Sequence, residues 1–74
     1  MENINIKFGK RVKELRIGEN ISQEELAFRC SLSKNYVSDV ERGTRNITLK
    51  VVDKFAKGLK VPTSYLFRWH EENE

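Results

Sequence analysis

A single cysteine, Cys30, leaves no partner for an internal disulfide. A single histidine, His70, sits far from it in sequence, so no Cys/His pair offers a metal site. The four glycines do not gather into a loop of the kind that cradles a phosphate. No enzyme, no metal and no cofactor are therefore expected, and no small-molecule ligand either, since there is no second domain to hold one. No apolar run is long enough for a membrane span or a signal peptide, so no membrane partner is expected and the setting is a reducing cytoplasm. Strand patterns, internal repeats, low-complexity segments and domain linkers are also missing. Residues 1–74 read as one domain, which at this length buries only about 60% of the surface its unfolded chain exposes. Stability is expected to be marginal, and a dimer would add to it.

What is present is charge and helical periodicity. Fourteen Lys and Arg against eleven Asp and Glu give a net charge of +3 and a pI near 9.2, which suits a polyanionic partner without requiring one. The fold class is all-α, a compact domain of five helices over about residues 4–19, 22–30, 33–42, 48–59 and 62–71. In the first, Ile4, Phe8, Val12 and Leu15 line one face while Lys7, Lys10, Arg11, Lys13 and Glu14 face water. Ser22 with Glu25 forms a capping box for the second, Ser33 caps the third, and Gly43 ends it. Thr48 caps a fourth helix that turns Leu49, Val52, Phe55, Ala56 and Leu59 inward. Pro62 opens the fifth, which carries Tyr65, Leu66, Phe67 and Trp69. The closing Glu-Glu-Asn-Glu is expected to fray.

The second and third helices carry the main signal. Counting Gln23 as the first position of a unit over residues 23–42, the apolar Leu26, Cys30, Leu32, Val37 and Val40 fall at positions four, eight, ten, fifteen and eighteen, with small Ala27 at five. Two short helices crossing at a tight turn need buried side chains and close approach at those places. This is a helix-turn-helix, which sets its second helix into the major groove of DNA. The first two turns of that helix expose Lys34, Asn35, Ser38 and Asp39 opposite the Val37 and Val40 stripe. Lys34 can donate to guanine, Asn35 can pair with adenine through two bonds, and Ser38 can donate or accept. Asp39 can accept from cytosine N4, act as a negative filter beside phosphates, or contact another protein. All four also read as a merely solvated face. Phosphate contacts are expected from Ser22, Gln23 and Ser33 at the helix starts, where backbone N–H groups and the helix dipole favour an anion. Tyr36, Arg45, Asn46 and Lys50 join them, the Tyr36 ring resting on the domain and its hydroxyl reaching DNA, and Arg45 long enough to try a base or minor-groove contact. Lys50 reads equally as solvated.

Lys13-Glu-Leu-Arg16, Ser22-Gln-Glu-Glu-Leu-Ala27, Tyr36-Val-Ser38, Val40-Glu-Arg-Gly43 and Tyr65-Leu-Phe67 resemble the Cro/phage-repressor (XRE) family of helix-turn-helix proteins, from about Lys10 to Phe67. That resemblance implies a lambda-repressor-like DNA-binding domain, with the same base-reading positions and Gln23 on a phosphate. It also implies a structural salt bridge between Arg16 and Glu41, clamping the first helix to the third. Two departures stand out. Ser31 takes the turn position usually held by glycine and must accept a left-handed backbone, and Gly18 falls where the first helix is expected to end or fray. Cys30 is expected as a small buried hydrophobe.

Within the family, Arg42-Gly-Thr-Arg-Asn-Ile-Thr-Leu49 is similar to the controller proteins of restriction-modification systems. The resemblance implies a homodimeric regulator of its own gene and of the endonuclease gene, activating with one dimer bound and repressing with two, with RNA polymerase as a further partner. One domain reads only about four or five base pairs, so a dimer on a palindromic operator with half-sites about 34 Å apart is expected. Its seam is expected at Tyr65, Phe67 and Trp69, joined by Val51 or Phe55, with Leu66 turned inward; the alternative is that Trp69 only covers the core. The competing function is a helix-turn-helix antitoxin or adaptor that binds a partner protein.

Overall fold

The computed structural model describes residues 3–70. Four α-helices follow one another, α1 Ile4–Gly18, α2 Gln23–Cys30, α3 Lys34–Arg42 and α4 Leu49–Leu59, and a 3-10 turn, Thr63–Phe67, closes the described chain. There is no strand among the described residues.

Each α-helix starts on a side-chain cap. Asn3, Ser22, Ser33 and Thr48 sit in extended backbone and accept from the N–H groups of Ile6, Glu25, Tyr36 and Val51. Glu25, the expected second half of a capping box, has its Oε2 on Arg29 Nε at 3.1 Å. The helix ends are as local. Ser31 takes the left-handed conformation, φ 57°, and Leu32 N–H returns to Ala27 O at 2.9 Å. Gly43, φ 79°, and Lys60, φ 59°, end α3 and α4 in the same way. Gly18 is the last residue of α1.

The fifth helix expected over residues 62–71 is instead the five-residue 3-10 turn, with Pro62 just outside it; residue 71 and the tail expected to fray lie outside the described residues. Arg68 leaves the turn in extended backbone, φ −92° and ψ 95°. The turn is long enough to bury Leu66 completely and too short to carry a second apolar face.

α1 packs on α3, α2 on both α3 and α4, and the 3-10 turn on α4 and α1. Their shared core holds Phe8, Val12, Leu26, Ala27, Cys30, Val37, Val40, Val52, Phe55, Ala56, Leu59 and Leu66. The α1–α3 crossing is so close that a Cβ on Gly9 would stand 2.1 Å from Val40 O. Two residues expected inside lie outside. Leu49 is 86% exposed, because as the first residue of α4 it precedes the turn that meets α2, and Ile4 at the start of α1 is likewise exposed. Arg11, expected in water, lies across the 3-10 turn, its Nε donating to Tyr65 O at 3.0 Å and its guanidinium 4.5 Å from the Tyr65 ring centroid. No helix among the described residues is long and apolar enough to cross a membrane.

Candidate nucleic-acid interface

α3 is strongly two-faced. Val37 and Val40 are fully buried, while Lys34 and Asn35 in its first turn are exposed and Ser38 and Asp39 are half-buried. The Ser33 cap, accepting from Tyr36 N–H at 3.0 Å, sets the start of the helix at the surface and leaves its first N–H groups facing outward. α2 starts on its own cap, Ser22 Oγ accepting from Glu25 N–H at 3.0 Å.

A largely buried ion pair joins α1 to the end of α3. Arg16 Nε donates to Glu41 Oε2 at 2.7 Å and Nη2 to Oε1 at 3.1 Å, and Nη1 donates to Ile21 O at 2.8 Å. Only 3% of the Glu41 side chain is exposed. Gln23, expected on a phosphate, turns its amide inward here: Nε2 donates to Glu41 Oε1 at 3.0 Å. The same carboxylate therefore ties α1, the start of α2 and the end of α3 together.

The loop after α3 folds back over the helix. Arg45 Nε donates to Asp39 Oδ2 at 3.3 Å, and its guanidinium lies 4.6 Å from the Tyr36 ring centroid. Asn46 Oδ1 accepts from Asn5 Nδ2 at 2.8 Å, which ties its side chain to α1. Lys50 is exposed in the first turn of α4. Arg42 was not among the residues singled out from the sequence. It pairs with Asp39 Oδ1 and donates from Nη1 to Ser38 Oγ at 2.8 Å. The signal for it was its spacing, three residues after Asp39 and four after Ser38 on one helix face.

Phe55, expected at the seam, lies in the core and has no surface to offer a partner. It is 0% exposed and packs edge-on against Phe8, with ring centroids 6.0 Å apart, because α4 turns that face into the core. Val51 is half-buried. Phe67 remains 43% exposed, with one side on Phe8 at 5.4 Å and the other on Trp69 at 5.9 Å. Tyr65 lies under Arg11 and Arg68. Phe28 on α2 is 82% exposed and was not anticipated; the alternation of buried Leu26, Ala27 and Cys30 around it places it on the outer face.

The only described cysteine, Cys30, is buried, and burial pushes its thiol up to about 11. Among the described residues no group of His, Cys, Asp and Glu is placed to hold a metal ion.

The Helix-turn-helix family matches residues 12–66. The control protein C.BamHI of Bacillus amyloliquefaciens is 48% identical over 60 residues, covering 80% of this chain and 74% of that protein. Among solved structures, the restriction-modification controller protein C.AhdI from Aeromonas hydrophila is similar with a TM-score of 0.83 and 44% identity, covering 85% of this chain and 96% of that one. C.Esp1396I bound to a 25 base pair operator site is similar with a TM-score of 0.82 and 31% identity, covering 90% and 88%. This chain belongs to the helix-turn-helix family of the Cro/phage-repressor type and is similar, within it, to the restriction-modification controller proteins.

Proposed function

We propose that residues 1–74 act as one DNA-binding domain, a cytoplasmic transcriptional regulator that binds a palindromic operator as a homodimer. The observation that carries this reading is the exposed first turn of α3, with Lys34 and Asn35 standing clear of a helix whose opposite face is locked into the core. A helix presented in this way enters the major groove by its N-terminal end, where Lys34 meets guanine and Asn35 meets adenine. Ser38 is the third reader. Ser22, Ser33 and the free N–H groups beside them receive phosphates, and Gln23 reaches one by releasing Glu41 or by its outer edge. Tyr36, Asn46 and Lys50 follow the backbone on the far side, and Arg45, alongside them, is long enough to reach a base edge or the minor groove as well. The likeness to a controller protein solved on a 25 base pair operator supports the same docking.

The resemblance to control proteins extends the reading to the genes controlled: its own and that of a restriction endonuclease, with RNA polymerase as the partner when it activates. Phe67 and Trp69, with Tyr65 and Val51 joining them, form the seam of the dimer, since the exposed Phe67 at the end of the 3-10 turn, ring to ring with the half-buried Trp69, fits an apolar contact between copies. No cofactor, small-molecule ligand or membrane enters this account, and control rests on protein concentration.

The test is titration of the duplex upstream of its own gene, against an unrelated duplex of the same length, at graded salt. Tighter binding to the first, with log affinity falling linearly in log salt, supports the proposal. Equal binding to both contradicts it.

A further inference from the structure

The carboxylate of Asp39 carries two arginines. Arg42 pairs with Oδ1, and Arg45 Nε donates to Oδ2 at 3.3 Å. Arg42 reaches on through Nη1 to Ser38 Oγ, and Arg45 lies over the Tyr36 ring. One carboxylate thus joins Tyr36, Arg45, Arg42 and Ser38 into a connected group on the face that carries Lys34 and Asn35.

The arrangement follows from local structure. Arg42 lies one turn beyond Ser38 and Asp39 on the same helix face. Arg45 is brought back by the left-handed turn at Gly43, after which Thr44 donates from both its N–H and its hydroxyl to Asp39 O, each at 3.1 Å. The backbone carbonyl and the side chain of Asp39 therefore both fasten the loop.

A bare carboxylate beside DNA phosphates is repelled, whereas this one lies under two guanidinium groups and the group as a whole is positive. The side chains of Arg42 and Arg45 are 61% and 47% exposed, so their ion pairs add little stability. Their effect is on orientation, because an arginine already held in place loses less freedom when it binds.

We propose that Asp39 is a positioning residue for DNA reading: its carboxylate orients Arg45, and through Arg42 the Ser38 hydroxyl, toward the duplex, and contacts no base itself. This rests on the DNA-binding function proposed above.

The test uses the full chain as wild type, Asp39→Asn, Arg45→Ala and the double variant. For each, the affinity for a duplex that wild type enriches from a random library is divided by that for an unrelated duplex, so that the altered net charge cancels. Single-base variants of the enriched duplex are measured alongside. The ratio is expected to fall about tenfold in each single variant, with any lost base preference at the same base pairs, and the double variant to fall less than about threefold below Arg45→Ala. Losses at separate base pairs that multiply in the double variant would overturn the proposal and give Asp39 a base of its own. An unchanged ratio in Asp39→Asn would overturn it too, leaving Asp39 as a general repeller. Asp39→Asn keeps the side chain's shape, and the backbone carbonyl that accepts from Thr44 stays; if its thermal midpoint falls, Asp39→Ala, which also removes the carboxylate and favours the helix, carries the same comparison. A wild type that enriches no duplex overturns the DNA-reading function itself, a failure distinct from the others.

Discussion

Arg16 meets Glu41 through two hydrogen bonds, 2.7 and 3.1 Å, with the glutamate side chain almost wholly buried and the arginine nearly so. The pair joins α1 to the end of α3, and Gln23 at the start of α2 shares its carboxylate. Removing either partner strands a charge in the interior. Glu41→Ala is expected to cost about 3 to 5 kcal/mol, and Arg16→Ala a similar amount. Replacing both with apolar residues of similar volume is expected to cost much less than the sum. Denaturant unfolding of the two single variants and of Arg16→Met/Glu41→Leu checks this.

The pair also decides how losses of DNA binding are to be read. A variant at Glu41 is expected to lose DNA binding together with stability, whereas Lys34→Ala and Asn35→Ala alter exposed side chains and are expected to keep the wild-type melting temperature. Each is expected to lose about 1 to 3 kcal/mol of discrimination at its own base pair. Competition binding with single-base operator variants, alongside thermal melts, separates the two kinds of loss.

Gly9 is fixed by the approach of α1 to α3. Gly9→Ala drives a methyl against the Val40 carbonyl and, as overpacking, is expected to cost about 1 to 3 kcal/mol or more. Gly18→Ala is the control, since nothing lies within 4 Å of a Cβ there and a helix former replaces glycine. It is expected to be neutral or to stabilise by up to about 1 kcal/mol. Thermal melts of the two variants are expected to move apart, and a Gly9→Ala chain as stable as wild type would contradict the packing.

Cys30 is neutral in its buried site, its thiol pushed up from 9.0 to about 11 by desolvation. The folded chain therefore holds the proton that the unfolded chain releases above pH 9. Stability from this group is full below pH 9 and is lost as pH rises toward 11. Cys30→Ala is expected to show a shallower alkaline loss than wild type, although it is less stable at neutral pH for want of the sulfur's packing. Iodoacetamide is expected to label the thiol in denaturant and hardly at all in the native chain.

Much of this architecture was legible because its determinants are local. Ser22, Ser33 and Thr48 mark helix starts by a hydrogen bond to a residue three positions on, and Gly43 marks an end by a conformation it adopts cheaply. Ser31 shows the limit of that rule: it holds the same left-handed turn, and the packing of α2 on α3 offsets the strain. A fifth α-helix is not distinguishable from a 3-10 turn by pattern, because four aromatic and aliphatic residues after a proline fit a helical face equally well. Only the tertiary demand for one buried side chain, Leu66, fixes a single 3-10 turn there. Phe55 was placed at a seam because periodicity gives the width of an apolar stripe but not which edge of it the neighbouring helix covers. The exposure of Lys34 and Asn35 was legible from the helix face they share. The inward turn of Gln23, the hold of Asn5 on Asn46 and the arginines on Asp39 were not, since each depends on residues brought together only by the fold.

The central claim is that the exposed face of α3 reads DNA in a two-fold complex. Selection of binding sites from random duplexes, with wild type, Lys34→Ala and Asn35→Ala at one stated salt concentration, tests it most directly. The account predicts a palindrome with half-sites about one helical turn, roughly 34 Å, apart, losing information at particular base pairs in each variant. A folded wild type that enriches no motif would contradict it.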